Sequence, residues 1–428
     1  MKKIFNSTVF STTVVLVLFS ISCKKTPLSS VNNTGKGLAT TTSATVSANI
    51  LDVGTGWPYA TLTDAAKVCV PGDTIQIHGG TYTGGDYITN LQGTSSAWIT
   101  IRAAAGETVL YDGNTDAFQI SEATYLRIQG LEFQNQTANG VNLDDGGTLT
   151  IAAHNIVVEN CTWFNMGGTG NNDELKLSGV DSFTVQNCHF NNGKDGAFVD
   201  MVGCHYGVLQ DNICQTVGSG GQAFQTKGGS KNIVVQRNRI IDGGDRAMHI
   251  GGNTGKQYFR PQGANYEAMN IYVYSNTFKG SKAPIVFSSS VYCEAVNNTI
   301  ITPINYVIRI LQDDKTVQAC ANNTFRNNIC VFTGSTAVNV GPGTNEASFI
   351  FSNDLWYNPN NLSWTGPNLP YPEPGQILDK DPQFSDTLYH LQSTSPAIGN
   401  GYAVAQPTTD YFALPFKSPR AIGAVEYY

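Results

Sequence analysis

A short phrase recurs down the middle of this chain: a few residues in apolar alternation, closed by Asn. It ends at Asn160, Asn187, Asn212, Asn238, Asn276, Asn298, Asn328 and Asn353, so successive copies stand 22 to 38 residues apart. A repeat of that length predicts a stacked solenoid in which each unit contacts only its neighbours. The β-type run in every copy makes it all-β, a single-stranded parallel β-helix. Side chains alternate along a strand, so each points either into the stack or onto an exposed sheet, where any chemistry must lie. Asn stacked at a bend is expected to bond to the coils above and below as an internal ladder, and so to be scaffold.

Length alone would allow two or three domains in 428 residues. The continuous repeat argues instead for one elongated unit over 49–357. The 44 Gly, the many Asn and a charged content of only 13% fit a chain of turns around apolar columns. Tyr59 to Val68 predicts a short amphipathic helix, and Pro71 to Ile77 a turn into the first strand. From Trp57 to Tyr82 the chain resembles the opening segment of right-handed β-helix carbohydrate enzymes, in which a helix covers the apolar end of the stack. Residues 358–375 read as loop. The tail through Asp381-Pro382, Ser395-Pro396 and Ala421-Ile422-Gly423 resembles the terminal segment of bacterial β-helix proteins, so 358–428 is expected to close the C-terminal end.

The N-terminus reads as targeting. Lys2 and Lys3 precede a mostly apolar stretch from Val9 to Ile21, too short to span a bilayer but suited to a signal peptide over 1–22. Ser22-Cys23 resembles a bacterial lipoprotein box with Cys23 lipidated, and the Ser- and Thr-rich 23–48 is a tether. The expectation is an exported protein held at the bacterial outer membrane only by that lipid, and a monomer. Eight further Cys remain. Cys161 and Cys188 directly follow repeat Asn residues, which favours stacked, buried free thiols over a disulfide framework. No CxxC pair offers a zinc site.

The formal charge of −7 argues against nucleic acid as partner. Its distribution says more. Between Gln225 and Ile310 ten basic residues face four acidic ones, a net +6 that leaves the rest of the chain at −13. An electropositive belt on an acidic exported protein points to an anionic polysaccharide.

Counting back from the repeat Asn stacks Lys176, Met201 and Lys227 in one outward column, with Gln225 two residues before Lys227. In the next coil His249 takes the outward parity beside Gln225, and Arg246 sits at the start of that strand. Arg309 aligns with His249 two coils on. The longest repeat inserts a loop from Gly251 to Glu267 carrying Tyr258, Arg260 and Glu267, a length that usually builds a cleft wall. Lys176, Gln225, His249, Tyr258, Arg260, Glu267 and Arg309 are therefore the candidate substrate-binding residues.

The stretch Gln225-Thr226-Lys227-Gly228-Gly229-Ser230-Lys231-Asn232, with Asp245-Arg246 and Asn276-Thr277-Phe278-Lys279-Gly280, resembles the core of the alginate lyase and chondroitinase B family of β-helix polysaccharide lyases. The resemblance implies Lys227 as catalytic base and Arg246, 19 residues on, as its partner. The reaction implied is β-elimination on a uronic acid. Members of that family often hold a calcium ion with acidic residues just before the lysine. Here those positions are Gly220 and Gln222, which leaves Ca2+ open as a cofactor and makes Arg260, Arg309 or His249 the alternative neutralising groups. No residue of this chain is itself expected as a metal ligand.

Two rival readings stand beside this one. A glycoside hydrolase needs paired carboxylates, and Asp144, Asp145, Asp173, Glu174, Asp195, Asp200, Asp242 and Asp245 are the candidates. Asp200 takes an inward parity on this count, as a buried functional acid or a mis-set register. A non-catalytic glycan-binding lipoprotein would show aromatic platforms, and only Tyr258, Phe259 and Tyr266 cluster suitably.

Overall fold

The computed structural model describes residues 48–428 other than 90, 169, 218 and 219. The expected signal segment, Cys23 and nearly all of the tether lie outside the described residues. Over the described residues the chain winds into a parallel β-helix with sheets of 13, 10 and 12 strands. Each strand pairs in parallel with its equivalent one coil later. In the ten-stranded sheet Leu175–Ser178, Ala197–Val202, Gln222–Lys227, Arg246–Gly251 and Ala283–Ser288 follow one another in this way.

The apolar alternation supplies the core. Leu175 and Leu177, Val199 and Met201, Phe224 and Thr226, and Met248 and Ile250 stack inward from successive coils of that sheet, all essentially inaccessible. The twelve-stranded sheet adds a column of rings. Phe133, Trp163 and Phe190 stack with centroids 4.9 and 4.8 Å apart, matching the rise of about 4.8 Å between paired strands. Each such side chain contributes roughly 1.5–3 kcal/mol by leaving water.

At the bend the Asn repeat resolves into two adjacent columns. Asn160, Asn187, Asp211, Arg237, Ser275, Asn297, Asn327 and Asn353 all adopt φ between 53° and 58°, the left-handed conformation that Asn tolerates. The residues that follow run Cys161, Cys188, Asn212, Asn238, Asn276, Asn298, Asn328 and Asp354. From Asn212 onward they form the expected ladder, each Nδ2 donating to the next side-chain oxygen at 2.9–3.1 Å. The sequence count mixes these columns, because Asn160, Asn187 and Asn353 belong to the first and the other five to the second.

That slip corrects one expectation. Lys176 stands opposite Asp200, not Met201, and Lys227 opposite Val202. Met201 faces the core, and Asp200 faces out. The extra residue in the Gly228-Gly229 turn shifts the count again, so Lys176 and Lys227 occupy neighbouring columns rather than one.

At the N-terminal end the helix is Leu62–Ala66, capped by the Thr61 hydroxyl accepting from the Asp64 N–H, with Leu62 and Ala65 in the core. At the other end Trp364 packs on Phe332, and Glu373 accepts from the Asp354 N–H and the Trp356 indole. Residues after 380 reach the outer side of earlier coils. They run back along the flank, where Asn297 donates to the carbonyls of Ala421 and Gly423, Asn327 to that of Tyr402, and Ser275 to that of Thr409. The eight described Cys are free thiols, seven of them buried.

Candidate functional site

The outer face of the ten-stranded sheet carries the polar side chains that the core excludes. One column reads Asn142, Lys176, Asp200, Gln225 and His249 on consecutive coils. The next holds Ser178, Val202 and Lys227. Over them opens a cleft of about 610 Å3, with Lys176, Asp200 and Lys227 on its floor. The turn from Asp144 to Leu149 lines one side, and Asn253, Thr254, Tyr258 and Arg260 of the long loop line the other.

Asp200 organises the floor. It is fully buried, and its Oδ2 lies 3.1 Å from both the Lys176 and the Lys227 ammonium. Burial alone would raise its pKa, but Lys227 and Lys176 together hold it below the usual carboxylate value. Its Oδ1 is buried without a hydrogen-bond partner. Lys176 also meets Asp173 Oδ2 at 2.6 Å and the Asn171 carbonyl at 3.2 Å. Burial opposes the Lys176 charge, yet Asp200 and Asp173 more than offset it and raise its pKa. Burial and the neighbouring Asp200 push Asp173 up to about 7. Lys227 donates to the Gln225 side chain at 3.2 Å.

Beside the cleft lies a second network. His249 Nε2 stands 2.8 Å from Arg246 Nη1. Arginine only donates, so Nε2 accepts there, while Nδ1 lies 3.0 Å from Gln225 Nε2 and 3.1 Å from Gln222 Oε1. Arg246 pairs with Asp313 at 2.7 Å. Burial would raise Asp313, but His249 and Arg246 hold it well below the usual carboxylate range. Sequence reasoning missed Asp313: it lies in the turn after Ile308–Leu311, and no periodic signal marks it.

The other expected residues divide. Tyr258 is exposed at the cleft wall. Arg260 also reaches the cleft, with its guanidinium clamped on Asp181 at 2.6 and 2.7 Å. Glu267 is fully buried and ties the loop down, accepting from the Gly228 and Thr254 N–H groups at 2.6 Å each. Arg309 stays in the His249 column, two coils on, and donates to Asn339. The structure thus gathers Lys176, Lys227, Tyr258 and Arg260 around the cleft, sets Gln225, His249 and Arg246 beside it, and leaves Glu267 beneath and Arg309 beyond.

Among the described residues no group of three or more His, Cys, Asp or Glu side chains is placed to hold a metal ion. The acids paired with the cleft-floor lysines are Asp173 and Asp200, and the Lys176 ammonium lies between their oxygens. With that ammonium in place the donor set does not fit calcium.

A family model described as "Pel9A-like, right handed beta helix region" matches residues 44–213. A search of curated proteins gave no match. Among solved structures, pectate lyase Pel9A superposes with a TM-score of 0.54 at 16% identity, over 90% of this chain and 98% of that one. The GH136 lacto-N-biosidase from Eubacterium ramulus gives 0.52 at 13% identity, over 77% of this chain and 68% of that one. An alginate lyase from Paenibacillus gives 0.46 at 14%, over 69% and 97%. The fold is a right-handed parallel β-helix, as the sequence implied.

Proposed function

We propose that this protein is an exported polysaccharide lyase that cleaves a uronic-acid-containing polymer by β-elimination, with Lys227 as the base. The supporting observation is the shared carboxylate on the cleft floor. A lysine takes a proton only when neutral, and a Lys–Asp pair normally resists that. Here Asp200 keeps Lys176 as counter-ion when Lys227 loses its proton, so no buried carboxylate is left unpaired. The Lys227 amine then removes the C5 proton of a uronate in the cleft. The C5–H electrons form the C4=C5 double bond, and the C4–O bond breaks with its pair leaving on the 4-linked oxygen. Arg246, beside the cleft, adds positive potential that favours the charge building on the uronate carboxylate; as a guanidinium it acts electrostatically, not as an acid. The flanking +6 belt draws in the polyanion.

Two solved relatives of the same fold bear names of different chemistry, a pectate lyase and a GH136 lacto-N-biosidase. The hydrolase alternative finds one supporting feature here, the raised pKa of Asp173. That acid is buried, with both oxygens engaged by Lys176 and the Ala197 N–H.

The test is incubation with alginate, polygalacturonate and glycosaminoglycans, following the ultraviolet absorbance of the unsaturated product. Lys227→Ala is expected to lose about 100-fold or more of the rate. Reducing ends appearing without unsaturation would instead establish hydrolysis. We infer export and anchoring through Cys23 from the N-terminal sequence, and Cys23→Ser is expected to release the protein from the membrane fraction.

A further inference from the structure

We propose that the Lys176 ammonium is the cleft's resident cation, seated where a calcium ion would otherwise be held, so that removing this one side chain turns the seat into a calcium site. The inference concerns the same cleft as the lyase reading but does not depend on its chemistry.

The seat is built of oxygen alone. Around Lys176 Nζ stand Asp173 Oδ2 at 2.6 Å, Asp200 Oδ2 at 3.1 Å and the Asn171 carbonyl at 3.2 Å. Two carboxylates and a backbone carbonyl are the donors a hard divalent cation selects, with water completing its shell. Asp200 lies on the strand paired with that of Lys176, and Asp173 is fixed by accepting from the Ala197 N–H on Oδ1, so both carboxylates are held in place without the ion.

A second observation points to unused capacity. Asp200 Oδ1 is fully buried and has no hydrogen-bond partner. The ammonium groups of Lys176 and Lys227 both meet Oδ2 and leave Oδ1 unused.

Lys176 wins the seat because it is tethered. Its strand Leu175–Ser178 is paired on both sides, so the ammonium is supplied at no cost in association. Calcium would have to expel it into the cleft and pay for an ordered lysine without a partner. The lysine thereby keeps a permanent positive charge on the cleft floor that neither chelation nor calcium supply changes.

The test reads binding, not turnover, so it stands or falls apart from the lyase assignment. Calcium chloride is titrated calorimetrically into the purified wild type, Lys176→Arg, Lys176→Ala and the double variant Lys176→Ala/Asp200→Asn, and thermal midpoints are taken with calcium and with chelator. Wild type and Lys176→Arg are expected to show no saturable binding and no shift. Lys176→Ala is expected to bind one calcium ion, with a rise in midpoint that chelator reverses, and the double variant to bind at least tenfold more weakly. Saturable calcium binding by wild type that Asp200→Asn abolishes overturns the proposal. So does a folded Lys176→Ala that takes up no calcium. Should Lys176→Ala fold poorly, Lys176→Gln, which keeps most of the side-chain volume, decides by the same titration.

Discussion

Burial, together with the charges of Arg246 and Lys227, lowers His249 from the usual 6.5 to about 4, against the opposing pull of Asp313. Between those two values the unfolded chain binds a proton that the folded one does not. Stability is therefore complete above the unfolded pKa and falls as pH drops through this window, by a total on the order of 3 kcal/mol. Urea denaturation across the window is expected to show a shallower slope for His249→Gln than for wild type. Asp200 gives a second prediction at this scale. Asp200→Asn leaves two ammonium groups facing one another over a buried amide, and is expected to cost about 3 kcal/mol by denaturant midpoint. Of these residues, Lys227, Arg246 and His249 were legible in the sequence, because outward parity and a neighbouring insertion are local signals. Asp313 was not, because a turn two coils away brings it there.

Each coil is closed by the bend at which Asn residues link one turn to the next. Asn276 accepts from the Asn238 backbone and side chain, and donates to the Val235 carbonyl and to Asn298. Asn276→Ala strands those partners in the interior. It is expected to destabilise the solenoid by about 3 kcal/mol, while the folded fraction keeps its turnover, since the cleft lies on another sheet. A denaturation curve paired with kinetics on the native fraction separates the two effects. The loop that walls the cleft depends on glycine at its root. Gly251 has φ 101°, and a Cβ there would sit 1.7 Å from the Ser288 carbonyl oxygen. Gly251→Ala must displace the loop, so a higher KM for polymer is expected. The repeat was visible in sequence because left-handed bends select Asn. The register between coils was not, because Asn also fills the neighbouring ladder column and the Gly228-Gly229 turn adds a residue; Lys176 and Lys227 were set in one column for that reason.

Across the whole molecule, charge separation sets the expected salt response. For the polyanionic substrate proposed above, attraction to the basic belt acts over distances that salt screens, about 10 Å at 0.1 M, so KM for polymer is expected to rise with ionic strength more than kcat falls. The C-terminal segment predicts a further outcome. It satisfies Asn297 and Asn327 from outside, and its Ala397, Ala421 and Ile422 pack with Ile329 and Leu355. Deleting residues 380–428 is expected to lower the thermal midpoint and expose this flank, as dye binding would report. The sequence by itself determined the solenoid, because a period in hydrophobicity and in turn residues is a local property, repeated until chance cannot produce it. It also determined which sheet face bears the cations. Only the tertiary structure decided that Lys176, Asp200 and Lys227 share one carboxylate oxygen, that Arg260 and Glu267 are spent on holding a loop, and that the tail lies along the flank. Those facts depend on how many residues each bend consumes, and a difference of one residue there moves a side chain to another column.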